Sequence, residues 1–192
     1  MKGFEDAFAV VCSPQVEGGY VNDPLDPGAE TNFGITAETW ARAEDAGIVA
    51  AGVRIVNRGP VEARAVYRAF YWDAYYCGTL PYPLALAFFD TVVNHSPTWA
   101  VKALQRAVGV AEDGAIGRAT IDAANRKDPI GTAAEPGSVP RLLDVRMQHY
   151  LGHSPIGEAP ISTAVEERFE LGWCRRLLLI LRVAMIAHFE VS

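Results

Sequence analysis

Cysteine is scarce in this chain: three residues among 192, at positions 12, 77 and 174. The number is odd, the spacings are wide and no C-x-x-C pair exists. That argues against a disulfide framework and a cysteine-based zinc site, and leaves buried free thiols as the expectation. Long apolar runs are also lacking. The nearest approach, "LLLILRVAMIAHF" at 177–189, falls short of the ~20 residues a spanning helix needs and is interrupted by Arg182. It is expected to be a core helix. A membrane-surface segment helped by Arg175 and Arg176 is the alternative, and stable membrane insertion is not expected. Positive charge is in the minority: 17 Lys and Arg against 23 Asp and Glu, a net charge of −6. Such a surface does not grip nucleic acid or anionic wall polymers by bulk electrostatics, whereas a neutral polysaccharide stays open. The N-terminus, "MKGFEDAFAVVCSPQVEGG", has one lysine and then acids inside its apolar run. It therefore lacks the layout of a secretory signal. The expectation is a protein made for the cytosol, or one exported by another route.

Half of the residues are hydrophobic, enough for a real core. Phe4, Ala7, Phe8, Val11 and Cys12 recur at helical spacing, and Pro14 with Gly18-Gly19 ends that helix. Residues 18–36 read as turns with short strands. Thr36 offers the next helix start and Gly47 its close. "GPVEARAVYRAFYWDAYY" (59–76) has Pro60 at a helix start and a strong apolar-aromatic face. "PLALAFFDTVVNHS" (83–96) is apolar nearly all round and is expected to be a buried central helix. Further helices are expected at 98–110, 117–127, 141–153 and 163–189. Residues 128–140, "DPIGTAAEPGSVP", are the best loop or linker candidate. The fold expected is mainly α with one small β-turn region near the N-terminus.

Glu17 stands at or just past the end of the first helix, ahead of the most turn-rich stretch, "VEGGYVNDPLDPGAETNFGIT" (16–36). A carboxylate there is ordinarily a solvated helix end, and mildly unfavourable with the helix dipole. The neighbouring glycines allow close backbone approach, however, and a turn-rich ribbon walls a cleft. Phe33, Tyr20 and Trp40 are the apolar candidates for that wall. A carboxyl pressed against apolar walls has a raised pKa and serves as a proton donor, which glycosidic cleavage requires. A second carboxylate normally activates water or stabilises the oxocarbenium-like state. Asp26 and Asp23 are the candidates, although Asp before Pro is also an ordinary turn former. Thr31 and Asn32 position a water or bond the local backbone.

The same stretch closely resembles the signature of glycoside hydrolase family 108, the phage and bacterial N-acetylmuramidases also described as secretion activators. The family's "DPGGxTNFGIT" reads here "DPGAETNFGIT", with Ala29 in place of a glycine. The glutamate of its EGGY motif is catalytic, which the resemblance places on Glu17. The stretch is also similar to the Glu-Asp-Thr pattern of phage-type lysozymes. There the Asp nine positions on corresponds to Asp26. The Thr six further on corresponds to Asn32, with Thr31 one short. Downstream, "LQ.ALGV..DG..G..T" is matched by Leu104, Gln105, Gly109, Val110, Asp113, Gly114, Gly117 and Thr120, resembling the family's peptidoglycan-binding region. "ERFELGWCRRL" resembles its closing helix. His95 stands where the family has a small residue, and an ordinary surface or packed role is expected of it.

The resemblance implies a lysozyme-like α+β fold, with a catalytic part at 1–95 and a helical peptidoglycan-binding part at 96–192, which pack together or separately. It implies hydrolysis of the β-1,4 bond between N-acetylmuramic acid and N-acetylglucosamine. Glu17 is then the general acid, assisted by Asp26 and Thr31, with Tyr20, Asn32 and Asn94 lining the sugar site. Neither cofactor nor metal is implied. The expected partner is the peptidoglycan strand, and the expected state is a monomer. An endolysin held in the host cytoplasm until release to the wall fits best, with lytic and antimicrobial action. A prophage product or a specially exported bacterial hydrolase fits nearly as well. The competing readings are a non-catalytic wall-binding or export-assisting protein, and a lytic transglycosylase.

Overall fold

A computed structural model describes residues 2–12, 19–22, 30–132, 134–153, 155–156 and 163–190, with side chains of 163–170 outside that description. The protein is mainly α, and its described residues include a three-stranded antiparallel sheet, the lysozyme-like α+β class the sequence implies. Its contacts divide it into two compact units, Met1–Tyr75 and Tyr76–Ser192.

In the first unit, α1 (Phe4–Val11) buries Phe4, Ala7 and Val11, the stripe its spacing predicts. Acidic Glu5 and Asp6 occupy its first turn, where the dipole favours them, and Asp6 accepts the Gly3 N–H at 2.9 Å. Three short strands follow: β1 (Val21–Asn22), β2 (Glu30–Asn32) and β3 (Ile35–Thr36). They pair in that order, with Val21 opposite Thr31 and Asn32 opposite Ile35. Thr36 caps α2 (Ala37–Asp45) by accepting the Thr39 N–H. Gly47, at φ 68°, supplies the left-handed residue that closes the helix. The helix α3 (Pro60–Tyr67) begins on Pro60 and passes into a π turn at Arg68–Asp73, so the helix expected across 59–76 is not regular. Aromatic edges join these pieces: Phe4 meets Trp72, and Phe8 meets Tyr67. The guanidinium of Arg64 pairs with the Glu5 carboxylate on α1.

In the second unit, α4 (Tyr82–Asn94) is the central helix, with every residue from Pro83 to Val92 buried. Around it pack α5 (Pro97–Val108), α7 (Ser138–Tyr150) and α8 (Thr163–Phe189), while α6 (Arg118–Arg126) lies on α5. Packing therefore groups α4 with the C-terminal helices. Its one acidic residue, Asp90, is fully buried between Arg146 of α7 and Arg176 of α8.

The loop from Asp128 to Ser138 is tied down rather than a slack linker. The Asp128 carboxylate accepts the Ile130 and Gly131 N–H groups, and Gly137 N–H donates to Ile130 O at 2.8 Å. A Cβ on Gly137 would run into the Asp128 carbonyl and the Ile130 backbone. The expectation that 177–189 is a core helix needs correction. Leu177, Ile180, Ala184 and Ala187 face inward, but Leu178, Met185, Ile186 and Phe189 are exposed along the other face. Among the described residues no helix is long and apolar enough to cross a membrane.

Candidate active site

Glu17, Asp23 and Asp26 lie outside the described residues. The second half of their motif, "ETNFGIT", forms β2, β3 and the turn between them. Asn32 and Ile35 pair, leaving Phe33 and Gly34 as a two-residue turn. Their φ angles are 54° and 71°, both left-handed, which makes a type I′ hairpin. Gly34 adopts this freely. Phe33 does not, and a bulky residue there costs about 1–3 kcal/mol unless its surroundings hold it.

Here they do. Asn32 is 4% exposed, and its side-chain amide donates to Ile55 O at 2.9 Å and Arg58 O at 3.0 Å. The buried Tyr67 hydroxyl donates to Phe33 O at 2.8 Å. The hairpin is thus fixed to the 55–58 segment on one side and to α3 on the other. Asn32 points its amide into the protein. Thr31 stands in the central strand, opposite both Val21 and Thr36, and is partly exposed.

Arg58 makes the platform under this hairpin rigid. It is 3% exposed, its guanidinium spans Glu44 of α2 and Glu62 of α3, and it lies over the Trp40 ring. Nothing in the local sequence marks it, because its partners sit 14 residues before and four after. Trp40 itself is 1% exposed and belongs to the core, so it does not wall a cleft as expected. Tyr20 is 41% exposed, and its hydroxyl donates to Glu30 at 3.0 Å, joining the EGGY segment to β2.

Asn94 belongs to the second unit, at the C-terminal end of α4. It is exposed, and its amide donates to Asp90 O at 2.7 Å. His95 follows it and stacks on Trp99 at 4.3 Å, beside His149 and Tyr150. Burial, then the charges of Arg146 and His149, push its pKa down to about 2, so it is a neutral packed residue.

The downstream motif has one polar organiser. Gln105 is 1% exposed and donates to Asp113 at 2.6 Å, to Ala115 O at 3.0 Å and to Thr120 at 3.3 Å. It accepts the Gly114 N–H at 2.9 Å. One amide therefore holds the Asp113-Gly114 turn against the start of α6. The Ala115 N–H, then Gln105, keeps the Asp113 carboxyl below its ordinary pKa range. Among the described residues no group of three His, Cys, Asp or Glu side chains is placed to hold a metal ion.

The family model for Glycosyl hydrolase 108 matches residues 13–96, from just before Glu17 to the end of α4. Among solved structures, SagA of Brucella abortus is similar over nearly the whole length. The two are 30% identical and superpose with a TM-score of 0.75, over 96% of this chain and 95% of that one. No curated protein matches the chain. The matched region holds both the Glu17 motif and the hairpin that carries its second half, and the structural match extends through the C-terminal helices. The chain belongs to the glycosyl hydrolase 108 family, glycosidases that hydrolyse peptidoglycan.

Proposed function

We propose that the protein is an N-acetylmuramidase that hydrolyses the β-1,4 bond between N-acetylmuramic acid and N-acetylglucosamine. Glu17 is its general acid. The observation that carries this reading is the pairing of the EGGY and TNFGIT sequences inside the family match, with the described half folded as a hairpin pinned by Asn32 and Tyr67. Glu17 gives its proton to the glycosidic oxygen as the bond to the muramic acid carbon breaks. Asp26, or Asp23, stabilises the positive charge that develops on that sugar or draws a proton from the attacking water. Thr31, partly exposed on the central strand, orients the water. The products are a new reducing end on muramic acid and a free hydroxyl on the neighbouring sugar. In its biological setting the protein acts as an endolysin, kept from the wall until a membrane pore releases it.

Mass spectrometry of the fragments released from purified peptidoglycan tests the bond and the reaction type together. A muramidase leaves reducing N-acetylmuramic acid at the cut. Reducing N-acetylglucosamine at the cut contradicts the assigned bond. A 1,6-anhydro sugar contradicts hydrolysis and makes the protein a lytic transglycosylase.

A further inference from the structure

The first central position of the hairpin turn does not call for phenylalanine. Type I′ turns favour Asn, Asp or Gly there, because longer side chains are strained at positive φ. Among the described residues only Phe33 and Tyr76 combine a positive φ with a side chain. The turn is nonetheless held firmly, by Tyr67 on the Phe33 carbonyl and by Asn32 on two backbone carbonyls. Neither restraint uses the Phe33 ring. That ring is partly exposed and has no aromatic partner among the described residues. Strained residues held by their surroundings gather at ligand clamps. The net charge of −6 adds a second consideration, since bulk electrostatics do not draw this protein to an anionic wall. Binding must come from neutral contacts with the sugars.

We infer that Phe33 is a substrate contact, offering its ring face to the C–H face of an N-acetylated sugar of the glycan strand. The inference rests on the reading that this chain binds and cleaves peptidoglycan. The aromatic face is electron-rich and the sugar C–H groups are weakly positive, so the contact needs no formal charge. Tyr67 and Asn32 are then positioning residues that fix the ring in advance of binding.

Phe33→Asn separates this role from a structural one, because asparagine suits the turn better. The expected result is a melting temperature equal to or above wild type, with KM for purified peptidoglycan raised about ten-fold. That is the factor about 1.4 kcal/mol of lost contact represents. Phe33→Trp keeps a ring face and is expected to hold KM near wild type. Calorimetric titration with chitotetraose reads the same contact without cleavage, and Phe33→Asn is expected to bind about ten-fold more weakly. Unchanged KM and unchanged chitotetraose affinity in Phe33→Asn overturn the inference, whatever happens to the melting temperature. If wild type binds chitotetraose through Phe33 but releases no reducing ends, the hydrolase reading fails and the contact stands. If wild type binds no chitotetraose and Phe33→Asn cleaves peptidoglycan with unchanged KM, the contact fails and the hydrolase reading stands.

Discussion

Arg146 of α7 reaches Asp90 of α4 at 2.6 Å, and both side chains are fully buried. Arg176 of α8 binds the other carboxylate oxygen at 2.8 Å. One carboxylate thus holds two helices of the second unit against the central one. Burial works against its charge, but Arg176 and Arg146 outweigh that and keep its pKa below the ordinary range. Removing the carboxylate leaves two guanidinium groups facing each other out of water. Asp90→Ala is expected to cost about 3–5 kcal/mol in urea unfolding. The folded pKa is lowered, so this contribution is present above the unfolded value of about 3.9 and is lost as pH falls below it. Acid unfolding of wild type should steepen below about pH 4, and Asp90→Asn should remove that component.

His95 predicts a second, separate pH effect. Its folded pKa is about 2, so the unfolded chain takes up a proton near pH 6.5 while the folded chain does not. Stability supplied by keeping it neutral is present above about pH 6.5 and declines below it, with a limiting slope of about 1.4 kcal/mol per pH unit. His95→Phe, which keeps a ring on Trp99, should flatten the urea-midpoint curve between about pH 6 and pH 4. An unchanged slope would contradict the neutral assignment.

Gln105→Ala removes the side-chain amide that ties α5 to the Asp113-Gly114 turn. It should destabilise the second unit by about 1–3 kcal/mol, the cost of leaving buried polar groups unpaired. Amide exchange at Gly114 and Ala115 should speed up more than exchange in α4. Uniform acceleration would mean that the turn has no stability of its own to lose.

Gly137→Ala places a methyl group against the backbone at Asp128 and Ile130. The loop that joins α6 to α7 is tied down by its own hydrogen bonds, so a clear drop in melting temperature is expected. A melting temperature within a degree or so of wild type would show that the loop opens at little cost.

Much of this architecture is legible in the sequence because it is local. The stripe Phe4-Ala7-Val11, the Thr36 cap, the Gly47 stop and the apolar run of α4 each declare themselves within a few residues. What is not legible depends on distance along the chain. Asp90 finds its partners 56 and 86 residues away, and Arg58 joins two helices through residues on either side of it. Trp40 reads as a cleft wall from its nearness to Glu17 in sequence, yet helix α2 turns it into the core. Asn32 reads as a residue that positions a water or sugar or bonds nearby backbone, and its amide in fact reaches the distant backbone carbonyls of Ile55 and Arg58. The largely apolar 177–189 part of α8 reads as buried, but Leu178, Met185, Ile186 and Phe189 are exposed along one side. At the candidate site, the family motif is legible from its residues, whereas the strain at Phe33 and the clamp from Tyr67 appear only when backbone angles and long-range contacts are known.

Proton donation by Glu17 is the centre of the proposed mechanism. The most direct measurement is reducing-end release from purified peptidoglycan by wild type and Glu17→Gln, a swap that keeps the size and removes the acid. Wild type is expected to cleave, and Glu17→Gln, folded by circular dichroism, to be slower by about 10²–10⁴-fold. Cleavage by Glu17→Gln at the wild-type rate would contradict that mechanism. So would a wild type that sediments with the wall and releases nothing, which would make the protein a binding module.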